Sequence, residues 1–343
     1  MVQRCNTWRH THIVTLLLSL MLLSSCVDVE EYDNSASGNF EALWHIMDEN
    51  YCFFTEKGVD WDAIHDEYAA QVKSSMSRSQ LFEFLAGMLF TLRDGHVNLS
   101  TSFDYSRSWS WKEDYPENFS HSVQRKYLGN STDYKISSGI YYKILNDNIA
   151  YMYIGSFDDE IGSGNLDEIL MYFASCNGLI IDVRSNGGGK LTEAQKVAAR
   201  FISKDTLVGY MRHKVGKGHD DLGDWEETVI KTSSGIRWTE KPVCVLTNRS
   251  VYSSANEFVK YMKAIGATTI GDTTGGGSGM PYSNELPNGW SIRMSACPMY
   301  DKDKQCTEFG IEPDIKVDMS DESMAQGIDD IIETARYELT TDN

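Results

Sequence analysis

The segment Gly178-Leu179-Ile180-Ile181-Asp182-Val183-Arg184 is a short apolar run with no polar alternation. A run of that kind reads as a strand buried on both faces, the sort found in parallel sheets with helices packed on either side. Lys241 to Asn248 reads the same way, and Thr268-Thr269-Ile270-Gly271 is a shorter strand. Leu166–Ala174, Leu191–Ile202 and Glu257–Ala264 read as helices between them; Phe258, Tyr261 and Met262 recur at helical spacing in the last. Ile140–Leu145 and Ile149–Ile154 form a hairpin joined by Asn146-Asp147-Asn148. Strands alternating with helices from about residue 138 onward imply an α/β core.

The chain before that core has a different texture. Phe40, Leu43, Trp44 and Met47 recur at three and four, Asp60 caps a second helix, and Leu81, Phe82, Leu85, Met88, Leu89 and Leu92 form a third apolar stripe. Residues 40–99 therefore read as an all-helical N-terminal domain. It ends in the turn Asp94-Gly95, after which His96 opens a short alternating strand. Residues 100–137 are polar and aromatic (Trp109, Trp111, Tyr115, Phe119) and read as a connector able to line a groove.

The first residues are an address. Arg4 and Arg9 precede the apolar run Ile13–Leu23, which is too short to span a bilayer comfortably. Leu23-Ser24-Ser25-Cys26 resembles a bacterial lipobox. The resemblance implies a signal peptide over 1–25, lipidation at Cys26, a tether over 26–39 and anchorage to the outer membrane of the cell envelope, on its periplasmic or surface face. The formal charge of -19 argues against nucleic acid and anionic lipid surfaces as partners. Neither C-x-x-C nor H-E-x-x-H occurs, so no metal or cofactor is expected. Cys297 and Cys306 stand where a hairpin would bring them together in a compartment that permits a disulfide, and sequence leaves that pairing open.

Two stretches carry chemistry. Ser253-Ser254-Ala255-Asn256-Glu257 lies where a strand hands over to a helix N-terminus, with unpaired N–H groups and a positive dipole suited to a nucleophile whose substrate develops an oxyanion. The same residues fit an S-x-x-E capping box, in which Ser254 only ties off the helix. Asp182-Val183-Arg184-Ser185-Asn186-Gly187-Gly188-Gly189 follows a buried strand, and its glycines let backbone N–H groups converge on an anion. It is no Walker loop: Arg184 stands at the first glycine position and Leu191 follows Lys190.

These two motifs, followed in order by Gly310-Ile311-Glu312-Pro313-Asp314-Ile315, resemble the carboxy-terminal processing protease and tricorn family of serine peptidases over roughly residues 138–318. The resemblance implies a crotonase-like αβα protease core over 138–343 behind the helical domain. The processing-protease branch takes a lysine about 25 residues beyond its serine as base. Gly277 stands at the matching place, and no lysine lies between Lys263 and Lys302. The tricorn-like branch takes a histidine from the preceding domain and a downstream glutamate instead. The resemblance then implies Ser254 as nucleophile, with Ser253 the alternative if the alignment slips by one. It implies His96 as base, Glu308 as its orienting acid with Glu312 in competition, and the N–H groups of Gly188 and Ala255 as oxyanion hole. Tricorn has a serine directly before the histidine, where Gly95 stands here. Only about forty residues separate His96 from the core, so no PDZ domain is expected. The reading is a lipid-anchored serine endopeptidase acting on peptide or protein substrates. A family member that has lost the chemistry and binds peptide at the envelope is the alternative.

Overall fold

The computed structural model describes residues 32–107, 109 and 115–341. The signal peptide, Cys26, the first part of the tether and Trp111 lie outside the described residues. The expected tether over 26–39 is cut short at residue 36. Helix α1 (Ala36–Asn50) begins inside it, capped by Ser35, whose hydroxyl accepts the Gly38 N–H. A serine before a helix-compatible run is a cap first and a linker residue second.

Helices α2 (Phe54–Lys57), α3 (Trp61–Ala69) and α4 (Arg78–Phe90) complete the N-terminal unit. Asp60 caps α3 through the Ala63 N–H, as its position predicts, and Ser77 with Gln80 forms a full capping box on α4. The connector holds one helix, α5 (His121–Leu128).

The core sheet has seven strands: β2 (Lys135–Ser137), β3 (Ile140–Ile144), β4 (Ile149–Tyr153), β5 (Gly178–Asp182), β8 (Val243–Thr247), β9 (Thr268–Gly271) and β12 (Ile315–Lys316). They lie in the order β12-β9-β8-β5-β4-β3-β2, parallel from β12 to β4 and antiparallel beyond. Period-two alternation sends the side chains of β5 to opposite layers. Leu179 and Ile181 pack with α6 (Ser163–Tyr172), α7 (Leu191–Ala198) and α8 (Ser254–Ala264); Ile180 packs with Ile331, Ile332 and Ala335 of α10 (Asp330–Thr341). Two apolar faces on one strand make this sheet the centre of an αβα sandwich, as its unbroken apolar run predicts.

Of the second sheet only the short strand after His96 was legible in the sequence. Strands β1 (Asn98–Ser100), β6 (Thr206–Met211), β7 (Glu226–Ile230), β10 (Gly279–Glu285) and β11 (Ser291–Tyr300) form an antiparallel sheet ordered β1-β11-β6-β7, with β10 also on β11. The helical unit packs on it: Phe40, Leu43, Leu85 and Leu89 share one core with Leu286, Trp290, Ile292 and Met294. The N-terminal helices thus complete their core with residues some 200 positions downstream. A short helix α9 (Asp321–Gln326) precedes α10. The five cysteines among the described residues are free, so Cys297 and Cys306 are not paired; the Cys297 thiol instead faces the Arg212 carbonyl at 3.1 Å.

Candidate active site

The glycine-rich loop after β5 is locked before any substrate is considered. Arg184, fully buried, sits between Asp182 at 2.7 Å and Asp329 at 3.0 Å, so the charged pair of the motif ties β5 to the start of α10. The Asn186 side chain donates to the Ile154 carbonyl and accepts the Gly188 N–H at 2.8 Å, while its backbone carbonyl accepts the Tyr252 N–H. Asn248, at the end of β8, accepts from the Ser185 N–H. The two motifs singled out in the sequence are therefore laced directly to each other.

That lacing drives the turn into α8 through Ser253. Ser253 has φ 58° and ψ −126°, a conformation natural to glycine and strained for any other residue. It is held there by hydrogen bonds from its N–H to the Gly276 carbonyl and from the Glu257 N–H to its own carbonyl. The strained turn points its hydroxyl out of the backbone, and Ser253 Oγ lies 2.9 Å from His96 Nε2.

The structure brings Ser253, the alternative, and not Ser254 to the imidazole. Ser254 is the first residue of α8, buried, and its hydroxyl has no hydrogen-bond partner among the described residues. It makes no capping box either, because the cap position belongs to Ser253, whose side chain is turned to His96 instead. The oxyanion expectation shifts with it. The Ala255 N–H is committed to the Tyr252 carbonyl. The N–H following Ser253 is that of Ser254, and no hydrogen bond is made by it among the described residues. Gly188 stands beside it: a Cβ there would lie 2.9 Å from Ser253 Cβ and 3.1 Å from the Ser254 nitrogen. With φ 109° as well, that position admits only glycine.

His96 hangs from the turn between α4 and β1. Arg93 adopts a left-handed conformation, and the Asp94 carboxylate accepts the backbone N–H of His96 at 2.8 Å. Pairing of β1 with β11 then fixes the register of the segment. Nδ1 is buried and makes no well-aligned hydrogen bond. Burial lowers the imidazole pKa to about 4; the Asp94 charge raises it, Arg293 and Lys57 lower it, and the nearby Gly279 backbone raises it. The ring is therefore neutral at pH 7 and able to accept a proton from Ser253 at Nε2, which requires the tautomer protonated at Nδ1.

Glu308 does not touch His96. Its Oε1 pairs with Lys57 Nζ at 2.9 Å and its Oε2 accepts the Ser278 N–H at 2.9 Å. Burial and the neighbouring Asp94 charge push its pKa up to about 8, against Lys57 and the Ser278 N–H. Glu312 is bonded to Thr273 instead, at 2.7 Å. Asp94 links the parts. Its Oδ2 accepts Tyr51 and Ser295 hydroxyls, each at 3.0 Å, and lies 3.6 Å from Lys57. Lys57, Asp94 and Tyr51 were not found by sequence reasoning. The only local signal was Asp94 in a turn, while Lys57 carried none.

Two glycines report what the site excludes. A side chain at Gly95, where tricorn has serine, would run into the Trp109 indole. Gly277, at the expected lysine position, has φ 81°, and a side chain there would strike the Tyr252 ring. Over Ser253 and His96 opens a cavity of about 430 Å³ walled by the glycine loop, Tyr105, Trp109, Asp158 and Arg293. A larger cavity of about 620 Å³, between α8 and residues 301–314, contains neither member of the pair. Among the described residues no cluster of three or more His, Cys, Asp or Glu is arranged to hold a metal.

A hydroxyl on a strained strand-to-helix turn, bonded to a neutral buried imidazole, defines a serine-hydrolase type of site. The Peptidase family S41 model matches residues 148–317 and the Tricorn protease C1 domain model matches residues 32–90. A candidate peptidase from Parabacteroides merdae, solved as a crystal structure, is 49% identical, with a TM-score of 0.86 over 91% of this chain and 98% of that one. The carboxy-terminal processing protease CtpA of Bacillus subtilis is 24% identical over 53% of this chain and 38% of its own length. The tricorn protease of Thermoplasma volcanium is 26% identical over 55% of this chain and 17% of its own. This chain thus spans well under half the length of those two curated relatives. Mature CPAF in complex with lactacystin shares the fold, with a TM-score of 0.70 at 11% identity over 90% of this chain and 99% of that one. The chain belongs to peptidase family S41, a family of serine peptidases.

Proposed function

We propose that the protein is a serine endopeptidase in which Ser253 is the nucleophile and His96 the general base. The observation that carries this reading is the 2.9 Å contact between Ser253 Oγ and His96 Nε2 at the floor of an open cavity. Ser253 Oγ attacks the peptide carbonyl carbon as its proton passes to Nε2. The carbonyl oxygen, now negative, is received by the Ser254 N–H and by the Gly188 N–H once that group turns from Asn186. The imidazolium then protonates the leaving amine, the C–N bond breaks, and an acyl ester remains on Ser253. Water, deprotonated by the same nitrogen, hydrolyses the ester and restores the hydroxyl.

The protonated ring is stabilised by Asp94 rather than by a carboxylate at Nδ1. Glu308 is a positioning residue in this reading: it holds Lys57, which otherwise opposes the imidazolium, and so sets the field in which Asp94 acts. The reading keeps the tricorn-like use of histidine and glutamate but replaces a direct Glu–His bond by the Lys57–Asp94–Glu308 cluster. It further includes lipidation at Cys26 and residence in the cell envelope, supported by the basic, apolar and small-residue pattern before Cys26.

The test is hydrolysis of a quenched-fluorescent peptide library by the mature chain. Ser253→Ala and His96→Ala are expected to lower kcat/KM by about 10⁴-fold or more; Ser254→Ala is expected to stay within about tenfold. Loss with Ser254→Ala and retention with Ser253→Ala would reverse the assignment. For the anchor, palmitate-analogue labelling in the native host should vanish in Cys26→Ser; labelling that survives would remove Cys26 as the site.

A further inference from the structure

Arg293 lies on β11, with Asn98 of β1 and Ser283 of β10 as its ladder neighbours, and it helps line the cavity over Ser253 and His96. It is half-buried. The other described arginines that are not exposed are all engaged. Arg184 and Arg200 pair with Asp182 and Asp167, Arg336 with Asp147, Arg212 binds backbone carbonyls, and Arg249 binds the Thr274 carbonyl and covers the Tyr115 ring. The Arg293 side chain makes no hydrogen bond, ion pair or ring contact among the described residues. Asp158 lines the same cavity, but it is exposed and forms no ion pair with Arg293.

Arg293 thus offers its guanidinium to the cavity, and five fixed N–H donors in a plane fit a carboxylate in two-point contact better than any other common peptide group. The chain carries a formal charge of -19, and none of the described acids pairs with this group. Its position also matters for the chemistry. Arg293 is one of the two cations that disfavour the protonated form of His96. A bound carboxylate would neutralise it and make the imidazole a better proton acceptor at the moment substrate arrives.

We propose that Arg293 is the specificity-determining residue of this cavity, and that the site takes peptides presenting a carboxylate next to the bond to be cut. The inference rests on the peptidase reading for the word cut, but the recognition itself does not need it. Two sources supply a carboxylate: an acidic side chain within the peptide, or the α-carboxylate of a chain end.

The experiment measures binding with the nucleophile removed, in the mature chain carrying Ser253→Ala. Position-scanning pentapeptide mixtures are compared in two arms. One arm sets Glu against Gln at each position, with the C-terminus amidated. The other sets the free acid against the amide in mixtures without acidic side chains. In one arm the carboxylate form should bind about 10- to 100-fold more tightly, the ordinary range for a charge-assisted contact, and the arm identifies the source. Adding Arg293→Gln should abolish that ratio while leaving the affinity of the neutral member within about threefold. Arg293→Lys, which keeps the charge and loses the fork, should retain only part of it, and Arg293→Glu should invert it toward Lys-containing mixtures. Equal or undetectable binding of both forms in both arms, or a ratio that survives Arg293→Gln, overturns the proposal. A carboxylate preference in the alanine variant together with no hydrolysis by the native serine would keep Arg293 in this role and sink the peptidase reading instead.

Discussion

Ser253 and His96 meet at one hydrogen bond but are held by opposite kinds of structure. Ser253 belongs to the parallel sheet: its position is fixed by the end of β8, the glycine loop after β5 and the first turn of α8, all of which carry their instructions locally. His96 belongs to the antiparallel sheet and to the helices packed on it. Asp94, which fixes its backbone, is itself fixed by Tyr51, Lys57, Tyr252 and Ser295 from scattered parts of the chain. One half of the pair is built by short-range rules and the other by long-range packing. The nucleophile side should then tolerate distant change, whereas the base side should fail when a remote contact is lost.

The largest effect expected on the nucleophile side, after loss of Ser253 or His96 themselves, is at Gly188. Gly188→Ala adds a Cβ 2.9 Å from Ser253 Cβ at a φ of 109°. It should lower kcat by about 10²- to 10³-fold, the usual worth of an oxyanion donor. Steady-state kinetics with an ester and a peptide substrate would check it. A loss under tenfold would mean that Gly188 does not border the reacting oxygen.

On the base side the corresponding probe is Lys57. Lys57→Met leaves Glu308 and Asp94 without their shared cation, and breaking a buried pair of this kind costs about 3–5 kcal/mol. Denaturant unfolding at pH 7 should show most of that loss restored in Lys57→Met with Asp94→Asn, because Glu308 is already largely protonated there. Activity should remain reduced in the double variant, since the field around His96 is not rebuilt. Full recovery of both would reduce the cluster to a packing device.

The pH dependence sharpens the same contrast. The imidazole pKa is about 4 in the folded protein against about 6.5 unfolded, so between those values the unfolded chain binds a proton that the native one refuses. Stability contributed by the neutral ring is therefore present above pH 6.5 and lost as pH falls toward 4, by about 3 kcal/mol in all. Glu308 acts in the reverse sense: its native pKa of about 8 means that stability falls as pH rises from about 4.5 to 8. The difference between the stability curves of the native chain and His96→Gln isolates the histidine slope. In kcat/KM the acid limb should lie near pH 4; a limb near 6.5 would contradict the buried, neutral ring.

The smallest effect concerns strain. Ser253→Gly relieves a conformation that costs a non-glycine residue on the order of 1–3 kcal/mol, offset by the flexibility glycine adds to the unfolded chain. The inactive Ser253→Gly protein should be about 1 kcal/mol more stable than Ser253→Ala by thermal unfolding. Equal stability would mean that the turn is not strained.

What could be read in advance follows this division. The strands β3, β4, β5, β8 and β9, the helices between them and the two motifs were legible because apolar periodicity and turn chemistry are local. His96 was legible only through its resemblance to the tricorn-like pattern, since one histidine after a turn has no signature of its own. Which serine faces His96 was not legible, because Ser253 and Ser254 are chemically identical in sequence and are told apart by a backbone angle. Residues 203–240 and 279–300, which supply most of the second sheet, were passed over: strands buried on one face and interrupted by loops give weak periodicity. Glu308 was found, but its partner was misread, because Lys57 lies about 250 residues upstream and reaches it only through the tertiary fold.

The most direct test of the Ser253–His96 pair is covalent labelling of the mature chain with diisopropyl fluorophosphate, with the adduct located by fragment-ion mass spectrometry. A single adduct on Ser253, kept in Ser254→Ala and absent in His96→Ala, is the expected result. An adduct on Ser254, or labelling of Ser253 that is indifferent to His96, would contradict the pair as the reactive unit.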